Sequence, residues 1–569
     1  MVLRLLGNLL RLLLFPLRWL RRARVLPKGG FVHVTIDGAV KDVVPEPRFW
    51  EQWRSRPLAL TGLTKLVDEV IADPRARGVL LTLRSLRGGM ATATSLRGVL
   101  ARVTAAGREL VVHLPLGADT KELYVASVAT RLYVGPQAVL APMGFASAVR
   151  YVRRALDRAG VEPEVFARGR FKSAGEQLVR DSMSEPQREQ LGGVLDAFYD
   201  EVVSGLASGR KVERDRAAAW IDGAPYLASD AVALGLADGV AYEDELPDLL
   251  GSGGERPRIV DGSDYFAAMR APRFRRIRRP GVLGVITVHG PIASQSGAMQ
   301  AGATDERVIA AVRRARSDGR VAAVVLHVDS PGGSALASDR MHHELERLAA
   351  EKPLVAYFAD VAASGGYYVA APAHAIVAQP TTITGSIGVV SARVVVEPLL
   401  AKLGVATEVL KRGAHADTLQ PTRRLSDDER ATFERELEGM YQAFVGIVAR
   451  GRKRSVPEIE RVAEGRVWSG VEGRREGLVD VLGGFDVACA RARELAAAKL
   501  GTEKAARLEP HVVRGARHPQ PPLDPPRQAA AAFAWLAGEL GIEGSLALAL
   551  GTSRERVLLW SEEARLLGR

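Results

Sequence analysis

Short apolar runs recur along this chain, separated by stretches in which apolar residues return every three or four positions. The first half carries VLLTL at 79–83, LVVHL at 110–114 and LYVG at 132–135, and the second carries VVLHV at 324–328, LVAYF at 354–358 and AIVAQ at 375–379. Runs this short and this rich in Val, Leu and Ile predict strands buried on both faces. Between them, MHHELERLAAE at 341–351 has the period of an amphipathic helix. Strands alternating with helices predict an α/β layer architecture.

The two halves share one design. Gly88 and Gly332, Tyr124 and Tyr368, Pro136 and Pro380, Gly144 and Gly388, Gly160 and Gly404, and Arg168-Gly169 and Arg412-Gly413 all differ by 244 positions. GLADGV at 235 and GLVDVL at 477 close the halves at an offset of 242. A shared offset over this length predicts a tandem duplication of a unit of about 220 residues. The expected organisation is a membrane-associating segment over 1–30, an N-terminal repeat over 31–250, a linker over 251–281 rich in Gly, Pro and Arg, a C-terminal repeat over 282–500, and a tail over 501–569. The tail opens with the Pro-rich HPQPPLDPPRQ and continues as an Ala/Leu-rich stretch that reads as helical.

Charge separates the amino terminus from the rest. The net charge is +12, and residues 1–30 hold Arg4, Arg11, Arg18, Arg21, Arg22, Arg24 and Lys28 with no acidic residue. In MVLRLLGNLLRLLLFPLRWLRR, Arg4, Asn8, Arg11 and Arg18 fall on one helical face while leucines, Phe15 and Trp19 cover the remainder. Arginines inside such a stretch are costly at the bilayer centre, so the pattern predicts a helix lying in the membrane interface rather than one spanning it. The single cysteine, Cys489, excludes an internal disulfide and a cysteine-based metal site. Neither a metal nor another cofactor is expected, and the localised charge suits a lipid surface better than nucleic acid.

Candidate chemistry begins at DVAASGGYYVA, residues 360–370, which follows the buried-strand run PLVAYFA. Ser364 is framed by alanines and by Gly365 and Gly366, so the backbone is bare enough for a reacting carbonyl to approach. A lone serine here also reads as the cap of the helix predicted from YYVAAPA. The duplication is asymmetric at this point. Ser364 aligns with Thr120, its glycines align with Lys121 and Glu122, and Lys172 in ARGRFKSAGEQ aligns with Ala416. The chain contains 12 lysines against 66 arginines, so lysine is not its default cation. Lysine, unlike arginine, can lose its proton when buried and so serve as a base. The turn DSPGGS at 329–334 offers the amides of Gly332 and Gly333 to a developing oxyanion. Ser386, in TITGSIGVV, is placed to hold the lysine amine. Histidines at 289, 327, 342, 343, 374 and 415 raise a Ser-His-Asp alternative, of which His289 is the best candidate base.

DSPGGS, DVAASGGYYVA, TGSIGVV and RFKSAGE together resemble the long, two-repeat form of the signal peptide peptidase A family, in the Clp protease/crotonase superfamily, over about residues 31–490. The resemblance implies two tandem Clp protease/crotonase-like repeats with Ser364 as nucleophile, Lys172 as general base, Gly332, Gly333 and Gly365 around the oxyanion and Ser386 in support. It further implies a bowl-like homotetramer at a bacterial-type inner membrane, with released signal peptides or other short hydrophobic peptides as substrates. Two rivals share the fold: an acyl-CoA hydratase or isomerase, and a membrane scaffold without catalysis. Neither requires Ser364 or Lys172.

Overall fold

The computed structural model describes residue 12 and residues 14–44, 58–251, 255–269, 281–294, 302–515 and 558–560. The chain divides into two compact units, one formed by Met1–Phe145 with Ala197–Gly281 and the other by Ala146–Asp196 with Val282–Arg569. The segment Ala146–Asp196 lies in the N-terminal repeat by sequence, yet it belongs to the same compact unit as the C-terminal repeat.

Within the first unit the main sheet runs in the order Gly239–Val240, Arg131–Val134, Glu109–Leu114, Ala76–Arg87, Gly30–Lys41, Ile259–Asp261, with all neighbours parallel. Leu110, Val111 and Val112 have no exposed surface, as two-sided burial of a parallel strand requires. The closing strand, Ile259–Asp261, lies in the stretch expected to be linker.

The second unit repeats that order. Val481–Leu482, Ala375–Ala378, Leu354–Ala363, Val321–Ser330, Val282–His289 and Glu509–Val512 are again parallel neighbours. Its closing strand lies beyond residue 500, so the sheet extends into the expected tail. Every residue of Leu354–Ala363 is buried. The amphipathic run forms the helix Ala335–Glu351, whose first turn is held by Ser334 Oγ accepting from the Ala337 amide at 2.8 Å. The long helix Asp427–Arg452 begins with a reciprocal cap between Ser426 and Glu429. A second sheet in this unit carries Ile292–Ala293, Gly332–Ser334, Leu558–Trp560, Val389–Val395 and Glu162–Arg168.

Among the described residues no helix is long and apolar enough to cross a membrane. The helix Phe15–Val25 leaves Leu17, Trp19 and Leu20 exposed, whereas Arg4, Asn8 and Arg11 of the expected polar face lie outside the described residues. The Pro-rich stretch and the expected tail helix also lie outside them, and the three described tail residues, Leu558–Trp560, form a strand.

Candidate active site

Ser364 sits where the buried strand Leu354–Ala363 gives way to the helix Gly365–Ala370. On one side of that strand Ser330 is in register with Ala362; on the other, Thr384 and Gly385 are in register with Ala362 and Ala363. The glycine turn after Ser330 and the strand Ile383–Gly385 therefore flank the end at which the serine emerges. Its backbone is strained, with φ 52° and ψ −115°, a region that costs a non-glycine residue about 1–3 kcal/mol and recurs at functional sites. Two backbone bonds hold this conformation: the Ser364 amide donates to Gly385 O at 2.8 Å, and its carbonyl accepts from the Tyr368 amide at 2.9 Å. Gly366 is required sterically, because a Cβ there would lie 2.6 Å from Ser330 O.

Lys172 reaches the same point from another part of this unit. It is 4 % exposed, and its Nζ lies 2.9 Å from Ser364 Oγ, 3.1 Å from Ser386 O and 3.1 Å from Ser386 Oγ. Ser386 also has a positive φ, 52°, and its amide donates to Arg466 O at 2.6 Å. Three neighbours around the nitrogen match a neutral amine, which has two N–H donors and one lone pair. Taking the ammonium out of water disfavours the charged form. The arrangement is thus able to pass the Ser364 proton to Lys172 while Ser386 fixes the amine.

The loop bearing Lys172 is held by residues that the sequence did not single out. Gln190, 2 % exposed, donates from Nε2 to Phe171 O at 3.1 Å and to Ser173 Oγ at 2.7 Å, and its Oε1 accepts from the Val467 amide at 3.1 Å. The Phe171 amide donates to Glu464 O at 2.8 Å. A side chain at Gly465 would place its Cβ 2.7 Å from Lys172 Cβ, so that glycine permits the approach. The Arg466 guanidinium stacks between Phe171 and Trp468, 4.8 and 4.3 Å from their ring centres, and its Nη1 donates to Glu189 Oε1 at 2.6 Å. Glycines, a glutamine and an arginine occur throughout the chain, so their only sequence signal is proximity to the motifs.

The other expected site residues fall as follows. The Gly332 amide, expected to be free, donates to Ser330 Oγ at 3.2 Å. Gly332 and Gly333 lie in a short strand that pairs antiparallel with Leu558–Trp560, Gly333 opposite Leu559, and Leu558 also pairs with Val390 of Val389–Val395. Gly365 is buried in the first turn after Ser364. His289 Nε2 lies 2.8 Å from His327 Nδ1 and the two rings meet edge to face, so its ring engages another histidine. Among the described residues no acidic, cysteine or histidine cluster could hold a metal ion.

In the first unit, the positions matching the serine and its glycines are filled by side chains. Thr120 Oγ1 accepts from the Gly144 amide at 3.1 Å, Lys121 Nζ donates to Gly88 O at 2.5 Å, and Glu122 Oε1 accepts from the Leu86 amide at 2.8 Å. The bare frame that surrounds Ser364 has no equivalent there.

Comparison with known proteins matches the model of peptidase family S49 over residues 106–251 and 346–499, one segment from each repeat. The chain belongs to peptidase family S49. This S49 chain is 32% identical over 498 residues to "Serine protease SPPA, chloroplastic" of Arabidopsis thaliana, covering 85% of this chain and 71% of that protein. It is 30% identical over 455 residues to "Protease 4" of Salmonella typhi, covering 78% and 72%. With "Protease 4" of Haemophilus influenzae it shares 26% identity over 505 residues, covering 84% and 80%. Like its family, the S49 chain is a serine peptidase.

Proposed function

We propose that the protein is an endopeptidase working through a Ser364/Lys172 dyad and an acyl-enzyme. The approach of the buried Lys172 Nζ to Ser364 Oγ at 2.9 Å carries this reading. Neutral Lys172 donates its two protons to Ser386 and accepts the Ser364 hydroxyl proton as Oγ attacks the scissile carbonyl carbon. The carbonyl electrons move onto oxygen, where the amides of Gly333 and Gly365 stabilise the negative charge, while Gly332 shapes the turn through its bond to Ser330. Collapse of the tetrahedral intermediate breaks the C–N bond, and the Lys172 ammonium gives its proton to the leaving amine. Water then attacks the ester, with Lys172 again taking a proton, and Ser364 is regenerated. The lysine thus comes from the sequence of the N-terminal repeat, 31–250, and the serine from the C-terminal repeat, 282–500.

Released signal peptides and other short hydrophobic peptides are the substrates this reading favours. The antiparallel seating of Leu558–Trp560 against Gly332–Ser334 supports an extended peptide bound by strand addition. The cationic, leucine-rich first 30 residues and the exposed Leu17 and Trp19 support attachment to a membrane surface, at a bacterial-type inner membrane by resemblance. The same resemblance favours a homotetramer.

Labelling with a serine-reactive fluorophosphonate followed by peptide mapping tests the reading. A single adduct on Ser364, lost in Lys172→Ala, is the expected result; an adduct elsewhere, or none on a folded protein, overturns it.

A further inference from the structure

The strand Glu162–Arg168 and the stretch 406–412 are repeat counterparts at the 244 offset: GVEPEVFARG at 160–169 stands over GVATEVLKRG at 404–413. Their surroundings differ. Glu162–Arg168 pairs antiparallel with Val389–Val395 over seven residue pairs, from Val389 opposite Arg168 to Val395 opposite Glu162. Phe166 in that strand is 5% exposed and stacks on Phe433 of the helix Asp427–Arg452. Two ion pairs tie the strand to the same helix, Glu164 to Arg430 at 2.6 Å and Arg168 to Glu438.

The counterpart stretch is extended and in no sheet among the described residues, and all of it is exposed. Leu410, the counterpart of Phe166, is 98% exposed. The segment matching Val389–Val395 is 145–151, FASAVRY, whose described residues are likewise extended and in no sheet. The helix matching Asp427–Arg452 at the 242 offset is Glu185–Arg210, of identical length. On it Arg188 stands for Arg430 and Asp196 for Glu438, while on the exposed stretch Glu408 stands for Glu164 and Arg412 for Arg168. All four residues are exposed, and none forms an ion pair among the described residues. One junction thus appears in the chain twice, once made and once with both halves unpaired.

We propose that residues 406–412 of one copy pair as an antiparallel strand with residues 146–151 of a second copy, Glu408 meeting Arg188 and Arg412 meeting Asp196 of that copy. Shifting the observed register by 244 sets Leu410 opposite Ser147 and Ala406 opposite Tyr151. The contact is head-to-tail, so each copy offers one half at either end and successive copies close a ring when the rotation permits. Covering Leu410 and pairing a bare strand edge supply the apolar and backbone contributions, and the two charge pairs fix register and partner. The inference rests on the homo-oligomeric reading above and names its surface, and it is independent of the peptidase chemistry.

The test uses the full chain in mild detergent. Light scattering after size exclusion is expected to show an oligomer for wild type, a single chain for Glu408→Arg, and recovery of the wild-type mass in Glu408→Arg/Arg188→Glu. Mixing Ser147→Cys protein with Leu410→Cys protein is expected to give a disulfide-linked pair of chains under mild oxidation, while neither does so alone. If Glu408→Arg keeps the wild-type mass and the mixture does not cross-link, the surface is wrong and the oligomeric reading stands. If wild type is a single chain at micromolar concentration, both fail.

Discussion

Removing the Ser386 hydroxyl changes both the rate and its pH dependence, in directions set by the three contacts of Lys172. The ammonium has three protons and three acceptors, Ser364 Oγ, Ser386 O and Ser386 Oγ, whereas the neutral amine donates only two and accepts one. Loss of Ser386 Oγ therefore strips an acceptor that the charged form needs more. A hydrogen bond to a charged group contributes about 1.5–3 kcal/mol and one between neutral groups about 0.5–1.5. The difference, about 1–1.5 kcal/mol, corresponds to a shift of about one pH unit. The base must be neutral to act, so destabilising its charged form moves the rising limb of kcat/KM to lower pH by that amount. The plateau falls about threefold to tenfold, because the amine loses one of the bonds that aim it. Ser386→Ala and Ser386→Gly should agree in both effects. They should differ in stability, since the positive φ at 386 suits glycine and strains alanine. Hydrolysis of a fluorogenic leucine-rich peptide from pH 5 to 10 measures the limb, and thermal unfolding measures stability. A limb that moves to higher pH, or stays put while the plateau falls, refutes the assignment of Ser386 to the lysine amine.

Three further outcomes follow from the same geometry. Gln190→Leu leaves Phe171 O, Ser173 Oγ and the Val467 amide without their buried partner; it should destabilise by about 2–4 kcal/mol in urea unfolding and lower kcat more than it raises KM. Gly366→Ala should abolish activity, as its Cβ would lie 2.6 Å from Ser330 O, and wild-type turnover by a folded variant would contradict that contact. Leu559→Pro removes an amide from the strand paired with Gly332–Ser334, so turnover of short peptides should rise as the edge is freed; an unchanged rate argues that Leu558–Trp560 does not compete with substrate.

Much of this site was legible before any coordinates. Ser364 and Lys172 stood out because duplication supplies an internal control: each lies where the other copy carries a different residue, and the structure brings the two within hydrogen-bond distance. The buried strands were legible because parallel strands covered on both faces must be apolar throughout. Gln190, Arg466 and Gly465 were not, because their roles come from partners far along the chain, as Gln190 shows by joining Phe171 to Val467. The sheet-closing strands Ile259–Asp261 and Glu509–Val512 escaped for another reason. They are three and four residues long and partly exposed, too short to show a period, and their place depends on the edge they join. The assignment of 146–196 to the second unit was equally hidden, since it depends on pairing between Glu162–Arg168 and Val389–Val395 across more than 200 residues of chain.

The central claim is that a removable proton on Lys172 drives attack by Ser364. Its most direct test is peptide hydrolysis by folded wild type, Lys172→Ala and Lys172→Arg, with Ser364→Ala as the baseline. Both lysine variants are predicted to fall to that baseline, because alanine offers no base and arginine keeps its proton at every working pH. Wild-type turnover by Lys172→Arg would contradict the claim and place the base elsewhere.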